Sequence, residues 1–292
     1  MRFKSVKPVW YLRKILLVNY YIINSMNITF QKPFSISEIG KRINNEDSVY
    51  PSNELVSINN RLFLVCDGVG GSNKGEVASS IACDSIQTYF RTYLDTEKEF
   101  DLQFIEKSIR YTEIQFDEYI KKNPSAGGMA TTLCLIYFAT EGVYLTHAGD
   151  SRIYQFRGGK MIFKTEDHSI VNSMVKTGRI SPKDAGKHPQ RNVIYRAIQG
   201  SHSPVEVDII KITDVLPDDE FLMCTDGVTE VWSDDDLCKV FSTNTSSEEK
   251  INTIKDYCRA NARDNYSAYL IPIQEVNKMN VFKQIFLYAI TY

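Results

Sequence analysis

The chain has 292 residues, 43% of them hydrophobic and 24% charged, with a formal net charge of −2. That balance excludes a disordered chain, and the lack of a basic run or face argues against a nucleic-acid partner. Six cysteines (Cys66, Cys83, Cys134, Cys224, Cys238 and Cys258) form no CxxC pair, which argues against a zinc or disulfide framework and suits reduced, buried thiols in a cytoplasmic protein.

In chain order, residues 1–25 place basic residues before an apolar run, Ile15 to Ile23, that Asn19 interrupts. No small-residue cleavage site follows, and the run is too short to span a bilayer. It is read as a dispensable N-terminal extension, or as sequence ahead of a true start at Met26; a weak membrane-surface anchor is the lesser alternative. One domain is expected over 26–275, followed by an apolar tail, 276–292, that is either a packed terminal helix or a partner contact. The first strand is predicted at Arg61–Asp67. Apolar residues near helical spacing predict helices over Lys74–Leu94 and Asp101–Lys122. The period then shortens. Met129–Phe138, Gly142–Gly149, Ser151–Gly159 and Lys160–Lys164 read as strands, with a hairpin turn at "FRGGK". A helix at Ser169–Thr177 stops at Gly178, strands surround "DDEFLMCTDG", and a helix at Glu248–Ala262 precedes a last strand, Tyr266–Ile273. Without regular βαβ alternation, this order predicts an α+β architecture of antiparallel sheets with helices packed outside.

Aspartates recur at the edges of these strands. "FLVCDG" delivers Asp67, "FLMCTDG" delivers Asp226, "THAGDSR" places Asp150, and "ARDNYSAYLI" places Asp264 before the last strand. Asp47 closes "GKRINNED". A lone Asp-Gly is usually a turn. Five such carboxylates brought together would repel unless cations neutralised them. Oxygen donors without paired Cys or His favour Mg²⁺ or Mn²⁺ over zinc. Glycines 68, 70, 71 and 75 follow Asp67, so the backbone there can bring a carbonyl such as that of Gly68 close to an ion. Arg42 offers a guanidinium fork for a phosphate dianion.

These segments, running in order from Ile39 to Ile273, resemble the metal-dependent Ser/Thr protein phosphatases of type 2C. The matching stretches are "GKRINNED", "DGVGGSNKGEVAS", "GMATTLCL", "HAGDSRIY", "TEDHSIV", "CTDGVTE" and "RDNYSAYLI". The resemblance implies a four-layer α-β-β-α sandwich with the metals in a cleft at one end. It implies that Asp67 bridges two Mn²⁺ or Mg²⁺ ions, with the Gly68 carbonyl on one of them, and that Asp226 and Asp264 complete the site. Asp150 with Asp226 would serve a weaker third ion. Arg42 would bind the substrate phosphate. Asp47 and Glu46 would hold metal-bound water from a second shell. The implied reaction is hydrolysis of phosphoserine or phosphothreonine on proteins, by direct attack of a hydroxide held between the two metals. The expected partners are phosphorylated targets of a Ser/Thr kinase, and the enzyme is expected to act as a monomer.

The chain departs from the family pattern at two positions. Val69 stands where many eukaryotic members have a His, which points to a bacterial-type enzyme and leaves the leaving-group acid unassigned. Gln199 is an extra residue in "YRAIQG" and puts in doubt the geometry of the flap, Asp167–Gly200. His147 is read as a packed or hydrogen-bonded strand residue, His168 as a helix cap, "SDDDL" as a capped, solvated helix start, and Thr131 and Thr132 as strand support near the site. Cys66 and Cys224 adjoin site aspartates, but strand alternation should turn them into the core. Two rival readings share the fold: a phosphoprotein-binding module without turnover, and a phosphatase dedicated to one small regulatory protein.

Overall fold

The computed structural model describes residues 25–69, 74–94 and 100–278. Residues 1–24 and the tail after Lys278 lie outside the described residues. Among the described residues, eleven strands, all paired antiparallel, form two sheets. One sheet contains β1 (Met26–Phe30), β2 (Phe34–Glu38), β7 (Arg152–Arg157), β8 (Lys160–Lys164), β10 (Asp219–Cys224) and β11 (Tyr266–Lys278). The other runs in the order β3 (Asp47–Tyr50), β4 (Leu62–Asp67), β5 (Leu133–Ala139), β6 (Gly142–Ala148) and β9 (Asp208–Ile212). The long helices α1 (Gly75–Tyr93) and α2 (Leu102–Lys122) cover the second sheet. The flap carries α3 (Ile170–Lys176) and α4 (Pro182–Ala185). The helices α5 (Asp226–Thr229), α6 (Asp234–Phe241) and α7 (Ser247–Asn261) lie on the side of the first sheet.

Strand alternation accounts for the four layers. Phe63 and Val65 of β4 face the interior between the sheets, while Leu62, Leu64 and Cys66 face α1 and α2. In β10, Phe221 and Met223 point inward, and Leu222 and Cys224 point toward α6 and α7. A strand buried on both faces reads as an unbroken apolar run, and its period of two sends alternate side chains to different cores. Cys66 and Cys224 are therefore turned away from the aspartates beside them, as alternation predicts. Between the sheets Phe63 meets Phe30, Phe138 and Tyr269 edge to face, with ring centroids 6.2, 6.0 and 5.3 Å away.

The helix ends follow local chemistry. The Asp101 side chain accepts from the Phe104 N–H at the start of α2, and Ser246 and Glu249 form a reciprocal capping box on α7. Ser233 caps α6, so "SDDDL" is the helix start expected of it. At α3 the cap is Ser169, which accepts from Asn172 N–H, and not His168. The short edge strands β1, β2 and β3 fall outside the predicted set. β11 continues past Ile273 to Lys278 because its second half pairs with β1. The strand predicted from Met129 begins at Leu133; Met129–Thr132 instead cross-brace the site described below. Among the described residues, no helix is long and apolar enough to cross a membrane.

Phe63 is fully buried at the centre of the aromatic cluster. Phe63→Ala should lower stability by about 3–5 kcal/mol, read as a fall in the urea midpoint with an unchanged m-value. A loss below about 1 kcal/mol would contradict the packing described.

Candidate active site

The site is built from the ends of strands. Asp47 and Asp67 are directly opposed in the β3–β4 pair, so their carboxylates leave the same face side by side. At the next residue the chain turns under Glu46 and the start of α1. A Cβ on Gly68 would lie 2.1 Å from the Gly75 carbonyl oxygen and 2.7 Å from that of Glu46, so only glycine permits this approach. The Gly68 N–H donates to the Glu46 carbonyl at 2.9 Å. The Asp226 carboxyl meets that of Asp67 from the end of β10. Asp150 arrives from the β6–β7 turn and Asp264 from the turn before β11. With Arg42, the Asp150, Asp226 and Asp264 side chains line a cleft of about 840 Å³ that extends along the flap past Val171, Val175 and Arg191.

The electrostatics are those of crowded like charges. Burial, followed by Asp47, Asp226, Asp150 and Asp264, drives the Asp67 carboxyl well above the usual carboxylate range. Burial is also the leading cause for Asp47 and Asp150, each pushed up to about 7, and for Asp226, pushed up to about 6. Thr225 and Ser267 oppose the shift at Asp47, and Asp226 and Asp264 add to it. Arg42 Nη2 donates to Asp264 Oδ2 at 2.5 Å, and that hydrogen bond raises the guanidinium pKa further. Burial raises Glu46, with Arg42 pulling the other way. Among the described residues, a cluster of carboxylates with one adjacent guanidinium and no Cys or His donor fits hard divalent cations. Asp67, the Gly68 carbonyl, Asp226, Asp264 and Asp150 could hold them.

Residues that carry no charge fix these groups. Thr131 Oγ1 donates to the Asp67 carbonyl at 2.8 Å, and Thr132 Oγ1 accepts the Asp67 N–H at 3.0 Å. Thr225 Oγ1 donates to Asp47 Oδ2 at 3.0 Å. Asn265 is the clearest residue that the sequence reading passed over. Its Oδ1 accepts from Glu46 N–H at 2.8 Å, and its Nδ2 donates to the Ile39 and Asn44 carbonyls at 2.7 and 2.9 Å. One side chain thus fastens the Arg42 loop to the Asp264 turn. Its signal was its place directly after Asp264 in "RDNYS".

The flap is anchored at both ends. Arg152 grips Asp167 with two hydrogen bonds of 2.7 Å, and Ile198 pairs with Thr131. Ile198 is fully buried while Gln199 is exposed, so the extra residue is absorbed at the surface. His147 and His168 stack with ring centroids 4.5 Å apart. With Asp208 they form a second group of metal-ligand type, its donor atoms all within 4.8 Å. Arg196 Nη1 already lies there, 2.7 Å from Asp208 Oδ1 and 3.1 Å from His168 Nε2, so a cation has to displace a guanidinium.

Comparison with known proteins identifies the family. A family model described as protein phosphatase 2C matches residues 37–270. The chain is 31% identical over 235 residues to the serine/threonine protein phosphatase PstP of Mycobacterium tuberculosis, covering 80% of this chain but only 43% of that protein's length. It is 32% identical over 221 residues to the serine/threonine phosphatase stp of Listeria welshimeri, covering 73% of this chain and 84% of the relative. The solved PstP catalytic domain, in complex with two manganese ions, superposes with a TM-score of 0.69 at 27% identity, covering 85% of this chain and 100% of that one. Family match, fold and ordered motifs agree: this chain belongs to the protein phosphatase 2C family.

Proposed function

We propose that this chain hydrolyses phosphoserine and phosphothreonine on proteins, with two Mn²⁺ or Mg²⁺ ions held by Asp67, the Gly68 carbonyl, Asp226 and Asp264. The observation that carries the reading is the convergence of five aspartates, three of which line one cleft together with Arg42. The manganese-bound PstP relative supports the choice of metal. When bound, the ions supply an acidified water and neutralise charge on the phosphoryl group.

The chain's own residues do the rest. Arg42 is half exposed and sits at the cleft mouth, where its fork can turn from Asp264 to a phosphate dianion. Asp47 is buried and held by Thr225, so it can accept a proton or orient a water from a fixed position. Glu46 presents a second carboxylate beside the Gly68 carbonyl. Cysteine chemistry is disfavoured, since Cys66 and Cys224 face the helix-side cores and burial pushes the Cys224 thiol up. All the acidic groups and Arg42 come from one chain, which supports a monomeric enzyme. The reading extends to phosphoproteins made by a Ser/Thr kinase as substrates. Six free cysteines, five of them buried, support a cytoplasmic setting.

Phosphate release from a phosphothreonine peptide should require Mn²⁺, stop in excess EDTA, and fall at least about 100-fold in Asp226→Asn. A folded, metal-loaded protein that releases no phosphate from several phosphopeptides would refute the reading. Asp150→Ala should leave two tight Mn²⁺ sites in calorimetry and cut turnover about 10- to 100-fold; full activity at low Mn²⁺ would remove Asp150 from the site.

The carboxylate shifts also set a pH dependence. Asp47, Asp150 and Asp226 hold protons in the metal-free fold up to about pH 6–7, whereas unfolded aspartates lose them near pH 4. Their contribution to metal-free stability is therefore present at low pH and lost as pH rises through 6–7. Mn²⁺ competes with those protons, so it should raise the melting temperature more at about pH 7.5 than at about pH 5.5. Differential scanning calorimetry with Mn²⁺ and with EDTA tests this. An equal shift at both values would mean that Asp150 and Asp226 are not ligands.

A further inference from the structure

His168 has a place in the fold that neither the metal-ligand set nor the phosphate site uses. It is 4% exposed and fastens the start of the flap to the turn that delivers Asp150. Its backbone N–H donates to the Gly149 carbonyl at 2.9 Å, and its Nδ1 accepts the Gly149 N–H at 3.3 Å. An Nδ1 that accepts leaves the proton on Nε2, which faces Asp208 Oδ2 at 3.1 Å; Arg196 Nη1 stands 3.1 Å from the same nitrogen but is itself a donor, so it bonds Asp208 and not the ring. Asp208 is held in turn by Arg196 at 2.7 Å, and Arg196 also reaches Glu206 at 3.0 Å. From the other side the His168 ring is stacked on His147, whose Nε2 is tied to the Glu166 carbonyl at 3.0 Å. Burial and His147 lower the His168 pKa, which keeps the ring neutral and its Nδ1 available as an acceptor.

The turn so gripped has no freedom on its opposite side. Gly149 has φ of +102°, and a Cβ there would lie 2.6 Å from Thr132 Cγ2. Thr132 in turn holds Asp67 through its N–H and Oγ1. The peptide just before Asp150 is therefore clamped between Thr132, which belongs to the Asp67 turn, and the His168 imidazole, which belongs to the flap.

We propose that His168 is a positioning residue for Asp150: its Nδ1, oriented through Nε2 by Asp208 and Arg196, holds the Gly149 amide and so fixes the aspartate at the weaker, third metal position. The proposal rests on the reading of Asp150 as a ligand to that ion. Outer groups that orient metal ligands typically cost about 10- to 100-fold in metal affinity when removed. An asparagine at this position places its oxygen where Nδ1 stands and keeps the bond to Gly149. A glutamine places its polar end where Nε2 stands, keeps the contact with Asp208, and gives up Gly149.

Calorimetric titration of the intact chain with Mn²⁺ separates the cases. Wild type should show two tight sites and one weaker site. His168→Gln should weaken the third site about 10-fold or more and leave the tight sites unchanged, whereas His168→Asn should stay close to wild type throughout. Unchanged third-site affinity in His168→Gln would overturn the proposal, as would its loss in His168→Asn with the tight sites intact. If His168→Gln does not fold, retention or loss of the third site in His168→Asn decides alone. A wild type with two tight sites and no weaker one would overturn this proposal and leave the phosphatase reading standing; a wild type that binds no Mn²⁺ would overturn both.

Discussion

Five carboxylates crowd the place where two sheets end, and the cost of burying their charges side by side is the constraint to which the surrounding structure answers. Asp67 sits at its centre, with Asp47, Asp150, Asp226 and Asp264 each adding to the cost of its charge. Like charges in a partly buried site are tolerated only if protonated, hydrogen-bonded or neutralised by cations. The metal-free fold uses the first two and adds Arg42 against Asp264. On the proposed reading metal binding would use the third, which would link affinity, stability and pH in this protein.

Holding such a cluster open requires a rigid frame. The two sheets supply it by delivering aspartates from opposite directions at one end of a packed aromatic core. Small uncharged side chains then fix the last few ångströms. Thr131 and Thr132 tie Asp67 to the start of β5, Thr225 ties Asp47 to the end of β10, and Asn265 ties the Arg42 loop to the Asp264 turn. Gly68 and Gly149 sit where a side chain would collide with these supports. If these carboxylates share an ion as proposed, a displacement of about 1 Å would break that sharing, so the precision of the site would rest on these uncharged supports.

Much of this was legible in the residues. The helices α1 and α2 carry apolar residues at helical spacing over about five turns each, a signal too long to mistake. The central strands β4, β5, β6 and β10 are apolar runs buried on both faces. Asp67, Asp150 and Asp226 stand out because each follows such a run, whereas Asp264 precedes one and Asp47 opens a short edge strand. The edge strands were harder: β3 spans only Asp47–Tyr50, and its residues are mostly half exposed. The second half of β11 is polar and gains strand geometry only from pairing with β1. His168 looked like a cap because it precedes a helix, but the cap is the next residue, and the imidazole is used by a glycine 19 positions earlier in the chain.

By itself, the sequence determined the inventory: which strands are buried on both faces, which helices are amphipathic, and which acidic residues end apolar runs in the order that marks the family. Those properties are local, set by side-chain period and by the residue that follows a run. Tertiary structure alone decided the pairings. It placed Asp47 opposite Asp67 through strand register, brought Asn265 back to residues 39–46 across more than 200 positions, and set His168 against the Asp150 turn. Such contacts depend on how the sheets stack and close, and no window of neighbouring residues contains that information.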